Sequence, residues 1–378
     1  MKIALVSPYD FSYPGGVVRH ISNLEMQFTR MGHLVKIIAP ASRPVEGYGD
    51  RFIAIGKPRP IPASGSIARI TISFNLANKV KDVLEKEQFD IVHLHEPLVP
   101  TLGFTVLRLS KSVNIGTFHA AEARPSYRWT KYLLVSRLYK KWFRKLTGRI
   151  AVSRPARDFV NRHYPSTYEI IPNGVDINFF SPSVSPISQF KDGKINILFL
   201  GRLETRKGLE YLLKAYALIK PDFQECRIIV VTPSTRLRRK YEKQVAAAAL
   251  EDVVFMGGVS DKEKARYYST ADIFCAPSTG HESQGVVLLE AMASGKPVVA
   301  SNISGYASVI THGVEGLLVP PKQEVPLAQA LAGLLKDESL RRRMGAKGRV
   351  SSEAYSWEHV ARKVMDLYTR VLKTKNVK

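Results

Sequence analysis

The sequence predicts an α/β fold of two doubly wound domains in series, and three observations predict it. Short apolar runs alternate with helical patterns along the chain. The alternation is interrupted by a polar, Pro- and Ser-rich connector after Ile171 and restarts at Ile195. At 378 residues the chain is also long for one hydrophobic core.

The first domain opens with an apolar run from Lys2 to Ser7, stopped by Pro8, which predicts a buried strand. The loop YDFSYPGG follows, then a helical pattern from Val17 to Met31 ended by Gly32, then a strand from Leu34 to Ala39. Gly15 and Gly16 lack the G-x-G-x-x-G spacing of a dinucleotide fingerprint, yet they allow a phosphate to approach the backbone closely. A strand is expected near Phe52 to Ile55, a Pro-rich connection from Lys57 to Pro62, and a helix from Asn75 to Lys86. The strand Ile91 to His95, a helix after Pro100 and the strand Ile115 to Phe118 complete the pattern. His95, Glu96 and His119 then stand at strand ends, where open parallel sheets bind ligands, and are expected to face one crevice. His93 and His95 are expected on opposite strand faces, which would keep them from sharing a metal ion. No acidic residue occurs from Arg124 to Arg157, where Arg and Lys alternate with Trp129, Tyr132, Tyr139, Trp142 and Phe143. This predicts a basic amphipathic helix suited to an anionic lipid surface. A strand from Arg149 to Val152 and a short helix follow.

After the connector (IPNGVD, then SPSVSP) the strand INILFL leads into the loop GRLETRKG and a helix from Leu209. Further strands are expected near Arg227 to Val231, Val253 to Phe255, Ile273 to Cys275, Pro297 to Ala300 and Gly316 to Val319. From Val325 onward the pattern is helical, with a break at Tyr355–Trp357 before a last amphipathic helix.

Composition narrows the partners. Hydrophobic residues make up 45% of the chain, as in a globular protein. Lys and Arg number 56 against 33 Asp and Glu, a formal net charge of +23 that attracts nucleic acid, anionic membrane or phosphorylated substrates alike. No helix-turn-helix, RNP aromatic pair or zinc module is found, so nucleic acid is not expected as a partner. Cys226 and Cys275 each sit in an apolar run and read as buried thiols of a reducing compartment, with no metal cluster around them. The apolar run at the N-terminus is too short for a signal peptide, and no run approaches the ~18 residues of a membrane span. A cytoplasmic protein with peripheral membrane contact is therefore expected.

Two stretches of the second domain carry chemistry. In GHESQGVVLLE the composition switches from loop to buried helix at about Val286, with Gly285 at the turn, Glu282 just outside the helix and Glu290 inside it. A helix N-terminus favours phosphate, and a carboxylate accepts two hydrogen bonds from vicinal hydroxyls, so Glu282 suits a sugar and Glu290 a ribose. A glycoside hydrolase also uses two carboxylates, so hydrolysis stays open. In GRLETRKG, which is not a P-loop, Arg202 and Lys207 bracket a tight strand-to-helix loop and can clamp a diphosphate.

These residues resemble the family 4 retaining glycosyltransferases of the GT-B fold, over nearly the full length of the chain. The motifs are PGGV, HLHEP, TFH, IPNGVD, GRLETRKG, and the Glu282–Glu290 pair followed by AMASGKPVVAS. With GSIARI at Gly65 to Ile70, the resemblance is closest to the phosphatidylinositol mannosyltransferases. It implies two Rossmann-like domains with an interdomain cleft, at 1–172 (completed by a returning helix at 356–378) and 173–355. It also implies a GDP-mannose donor, an inositol phospholipid acceptor on the inner face of the membrane, a monomer, and no catalytic metal or other cofactor. By position, Arg202 and Lys207 would contact the diphosphate, Glu290 the ribose and Glu282 the sugar, with Gly285 at the turn beside it. Gly16 would let its loop approach the donor phosphate. His119 would lie by the reacting sugar, and Arg69 and Arg124 would serve the acceptor. Gln284 stands where the family usually has Phe.

Overall fold

The computed structural model describes residues 1–63, 66–71, 76–100, 102–121 and 139–376. It divides into two compact units, one of Met1–Asn173 with Trp357–Lys378 and the other of Gly174–Ser356.

The N-terminal unit runs β1 (Lys2–Val6), α1 (Gly16–Arg30), β2 (Leu34–Ala39), β3 (Phe52–Ala54), β4 (Pro58–Ala63), β5 (Ser66–Thr71), α2 (Ala77–Glu87), β6 (Ile91–His95), α3 (Leu102–Leu109), β7 (Val113–Phe118), β8 (Leu146–Ala151), α4 (Arg154–His163) and β9 (Glu169–Ile170). Among the described residues the main sheet has seven parallel strands in the order β3-β2-β1-β6-β7-β8-β9. The middle strands β6 and β7 are buried along their whole length. Continuous burial is what a parallel sheet covered on both faces requires, and it explains their unbroken apolar runs. Helix α1 turns Ile21, Leu24 and Phe28 inward at helical spacing. Each such buried side chain contributes about 1.5–3 kcal/mol.

Two expectations are corrected here. The stretch expected as a Pro-rich connection is strand β4, paired antiparallel with β5 in the register Pro58↔Thr71 to Ala63↔Ser66. His93 and His95 share a strand face and do not oppose one another: side chains alternate with period two, and the rings stack at 4.4 Å.

The described part of the basic segment begins at Tyr139, in a helical turn that passes into β8 at Leu146. Its aromatic residues serve the core. Phe143 is buried and stacks on Tyr164 at 4.9 Å, while Tyr139 and Trp142 pack edge-on against Phe104. Residues 122–138, with Trp129 and Tyr132, lie outside the described residues.

The C-terminal unit runs β10 (Ile195–Leu200), α5 (Leu209–Ile219), β11 (Cys226–Val231), α6 (Arg236–Ala247), β12 (Val253–Met256), α7 (Asp261–Thr270), β13 (Ile273–Ala276), α8 (Val286–Ala293), β14 (Val298–Ser301), α9 (Ser304–Ala307), β15 (Gly316–Val319), α10 (Glu324–Lys336) and α11 (Glu338–Glu353). Its six parallel strands follow the order β12-β11-β10-β13-β14-β15. Helix α7 starts on a capping box between Ser260 and Glu263. Helix α8 is buried at every position from Leu288 to Ala293, and its sequence is apolar at every position but Glu290. Cys226 and Cys275 are buried free thiols.

The last helix, α12 (Trp357–Asn376), belongs to the N-terminal unit. Trp357, Val360, Val364 and Leu367 form one helical stripe in a core shared with Ile3, Leu5, Phe28 and Val113. Among the described residues no helix is long and apolar enough to cross a membrane.

Candidate functional site

In each sheet the strand order reverses beside its first strand, between β1 and β6 and between β10 and β13. Loops leaving the carboxyl ends of such strand pairs form the ligand crevices of open α/β sheets. The sequence-predicted residues gather at both places.

In the C-terminal unit the loop after β10 lies against the loop after β13. Gly208, at φ 74°, faces the Pro277 carbonyl so closely that an added Cβ would stand 1.9 Å from its oxygen. Only glycine permits that approach. The Thr279 N–H then donates to the Arg206 carbonyl at 2.7 Å, sewing the two loops together. Across this seam Glu282 accepts from Lys207 at 2.6 Å and from Arg206 at 2.5 Å, with only 11% of its side chain exposed. Arg206 also pairs with Glu204 at 2.7 Å, and Arg202 lies 3.8 Å from Glu204 with 69% of its side chain exposed. Burial disfavours the Arg206 charge, but Glu282 and Glu204 outweigh it and raise its pKa. Lys207 and Glu282 are thus brought together in one ion pair. Arg202 joins them at one remove, and Arg206, the link between them, was overlooked.

Gly285, at φ 82°, begins helix α8 against the Tyr306 ring, where a Cβ would collide at 2.6 Å. Glu290 is deeper, 3% exposed, accepting from Lys264 at 2.6 Å and from the Tyr268 hydroxyl at 2.9 Å. Lys264 in turn sits 5.0 Å from the Phe180 ring centroid. Engaged in this way, the second carboxylate is not offered as the free acid or base of a glycosidase pair. Lys264 and Tyr268 lie on α7, a helix the sequence reading did not single out.

In the N-terminal unit the crevice is lined by imidazoles. His95 Nδ1 and His119 Nε2 share a 3.0 Å hydrogen bond, and His20 of α1 reaches Asn173 at 2.9 Å through Nδ1. The His20 ring stands 5.1 Å from His95 and 4.9 Å from His119. Behind them His93 bonds the Tyr368 hydroxyl and Thr117, both at 2.6 Å. Glu96 accepts from the His119 and Ala120 N–H groups, at 2.6 and 2.9 Å, and so fixes the strand end that carries His119. Burial holds the imidazoles neutral: the pKa of His20 falls to about 4 and that of His93 to about 3, while His95 and His119 fall well below the ordinary value. Burial also raises the Glu96 pKa.

No metal-ligand group is expected from the sequence. The fold nevertheless assembles one of suitable size from His20, His95 and His119, whose ligand atoms lie within 4.8 Å of one another. His20 carried no sequence signal beyond its place one turn after the Gly15–Gly16 loop. Gly16 opens α1 with no atom within 4 Å of an added Cβ. The Arg69 guanidinium lies 4.0 Å from the Tyr13 ring centroid. Arg124 lies outside the described residues.

Residues 14–179 match the family model described as Glycosyltransferase Family 4, and residues 181–351 the one described as Glycosyl transferases group 1. The phosphatidyl-myo-inositol mannosyltransferase of Mycobacterium leprae is 36% identical over 375 residues, 98% of this chain and 97% of that protein. The protein of that name from Propionibacterium freudenreichii is 34% identical over 98% of this chain and 95% of its own length. Among solved structures, sucrose-phosphate synthase from Thermosynechococcus elongatus superposes with a TM-score of 0.78 at 23% identity, covering 99% of both chains. Anabaena Alr3699/HepE in complex with UDP and glucose gives 0.78 at 19% identity, covering 98% of this chain and 100% of the other. These two likenesses establish the fold, two Rossmann-like halves of GT-B type.

Proposed function

The chain belongs to glycosyltransferase family 4, and from that premise we propose that this glycosyltransferase moves mannose from GDP-mannose to an inositol phospholipid, with retention at the anomeric carbon. The observation that carries the reading is the Glu282–Lys207 ion pair at the strand switch of the C-terminal unit. A diphosphate arriving there competes with Glu282 for the Lys207 and Arg206 cations. The carboxylate it displaces is left to accept from sugar hydroxyls. The names of the relatives support mannose and the inositol lipid.

In this reading Lys207 and Arg202 stabilise the negative charge that grows on the leaving diphosphate. Gly285 and the first turn of α8 stand beside it, and Glu290 takes the ribose hydroxyls. Gly16 gives the donor phosphate access to backbone N–H groups. The acceptor hydroxyl attacks from the face the diphosphate leaves: the bond from the anomeric carbon to the phosphate oxygen breaks, the bond to the inositol oxygen forms, and the hydroxyl proton passes to a phosphate oxygen. His119, neutral and hydrogen-bonded to His95, orients the sugar without adding charge. Arg69 and Arg124 meet the acceptor.

We infer that transfer needs no metal, because the Lys207 and Arg206 cations beside Glu282 can neutralise a leaving diphosphate without one. The enzyme works as a monomer at the cytoplasmic face of the membrane, held there by its net positive charge. A panel of GDP- and UDP-sugars with a lipid extract, with and without chelator, tests the proposal. GDP release with a mannosylated inositol phospholipid, unchanged by chelator, is expected. UDP release, or GDP release without a lipid product, rejects it.

A further inference from the structure

The first loop of the N-terminal unit is tied down on two sides. Its backbone pairs with the hairpin strand β5 through the Tyr9–Ile70 bridge and the Asp10 N–H donating to the Arg69 carbonyl at 2.8 Å. The Asp10 carboxylate accepts from the N–H and hydroxyl of Ser12, at 3.1 and 2.6 Å, and from those of Ser42, at 3.1 and 2.7 Å. Four donors occupy this carboxylate, so its role is to hold the Ser42–Arg43 turn against the loop.

The result of both ties is a pair of cations on one ring. The Arg69 guanidinium lies 4.0 Å from the Tyr13 centroid and that of Arg43 lies 5.1 Å from it, with Arg43 Nη2 donating to the Tyr13 hydroxyl at 3.1 Å. Among the described residues neither guanidinium belongs to an ion pair. Two like charges held on one aromatic platform repel, and an anion between them removes that repulsion. A guanidinium stacked on a ring still presents its in-plane N–H groups, the geometry that grips a phosphate through two oxygens.

We propose that Arg43 and Tyr13 complete, together with Arg69, a two-guanidinium clamp for the phosphate ester of the acceptor headgroup. The clamp rests on the reading that the acceptor is an inositol phospholipid, and it names how that acceptor is selected. Arg69 supplies one cation from the hairpin and Arg43 a second from the turn after β2. Tyr13 sets their spacing, so that a phosphate ester is preferred over an uncharged glycoside or free inositol. The same chemistry reaches the site from a membrane lipid or from a soluble inositol phosphate ester.

The test uses the full chain with two probes: soluble glycerophosphoinositol by calorimetry, and phosphatidylcholine vesicles with or without phosphatidylinositol by flotation. Arg43→Ala is expected to weaken glycerophosphoinositol binding by at least tenfold, since a charge-assisted hydrogen bond is lost. Arg43→Lys is expected to recover only part of it. Arg59→Ala is the control: Arg59 pairs with Ile70 on the other face of the hairpin and should bind as the unaltered protein does. An unchanged unfolding transition of the N-terminal unit shows that each variant is folded. Arg43→Ala binding the soluble ester normally overturns the clamp. So does a loss seen on vesicles alone, which makes Arg43 a general surface cation. If the ester binds in an Arg43-dependent way but no mannose is transferred, the clamp stands and the proposed function falls. If transfer proceeds with the acceptor KM of Arg43→Ala unchanged, the function stands and the clamp falls.

Discussion

The strand switches of the two halves occupy the same place in the same strand order, yet they are built from opposite chemistry. Between β10 and β13 charge is concentrated and paired, with Glu282 between Lys207 and Arg206. Between β1 and β6 the imidazoles carry no charge, because burial holds His20, His95 and His119 neutral. A paired network can exchange one anion for another, which suits a leaving group that gains charge as it departs. A neutral imidazole cluster offers directional hydrogen bonds to uncharged hydroxyls and adds no field of its own. Topology therefore places the crevice, and the residues at the loop ends decide what it can handle.

The contrast can be broken at its strongest point by removing one member of a buried ion pair. Glu290→Ala leaves Lys264 charged and enclosed, and should lower the stability of the C-terminal unit by about 3–5 kcal/mol. Denaturant unfolding checks this, and a loss under 1 kcal/mol would show that the pair is solvated. The next effect separates chemistry from binding. His119→Ala should reduce mannosyl transfer about 100-fold while GDP affinity stays the same; near-normal turnover removes His119 from the reaction. A smaller effect is expected from the opposite half, where Lys207→Ala should weaken GDP binding about tenfold by calorimetry.

Acid probes the neutral half directly. The unfolded chain takes up protons at the ordinary imidazole value near 6.5, whereas His20 refuses one until about pH 4. Stability contributed by the N-terminal unit is then complete above pH 6.5 and declines as the pH falls from there toward 4. Hydrogen exchange resolved by unit at pH 7.5 and 5 should show the loss in the N-terminal unit. An equal loss in both units would cancel the contrast.

Much of this was readable in the residues because long apolar runs leave little choice. The fully buried strands β6 and β7 and the helix opening at Val286 sit where the sequence puts them. The hairpin of β4 and β5 was hidden by Pro58, Pro60 and Pro62, since proline argues against a strand. Spaced by two, however, their missing donors all fall on one edge, and the ladder to β5 survives. Of the histidine cluster, His95 and His119 were readable as strand ends facing one crevice, whereas His20 was not, since it comes from a helix that only the fold brings beside them. Arg206 went unnoticed between Thr205 and Lys207 because charge alone cannot say that both adjacent cations reach Glu282. That is decided by the tight turn at Gly208.

Helix α12 carries a consequence for how the protein is made. The first unit lacks Trp357, Val360 and Tyr368 until the whole of Gly174–Ser356 has been translated. At about 5–20 residues per second the ribosome needs on the order of ten to forty seconds for that stretch. Throughout that interval the nascent first half shows an apolar groove beside Ile3, Leu5 and Phe28, with His93 missing its phenol partner. The unit whose synthesis starts first is thus the last to be sealed.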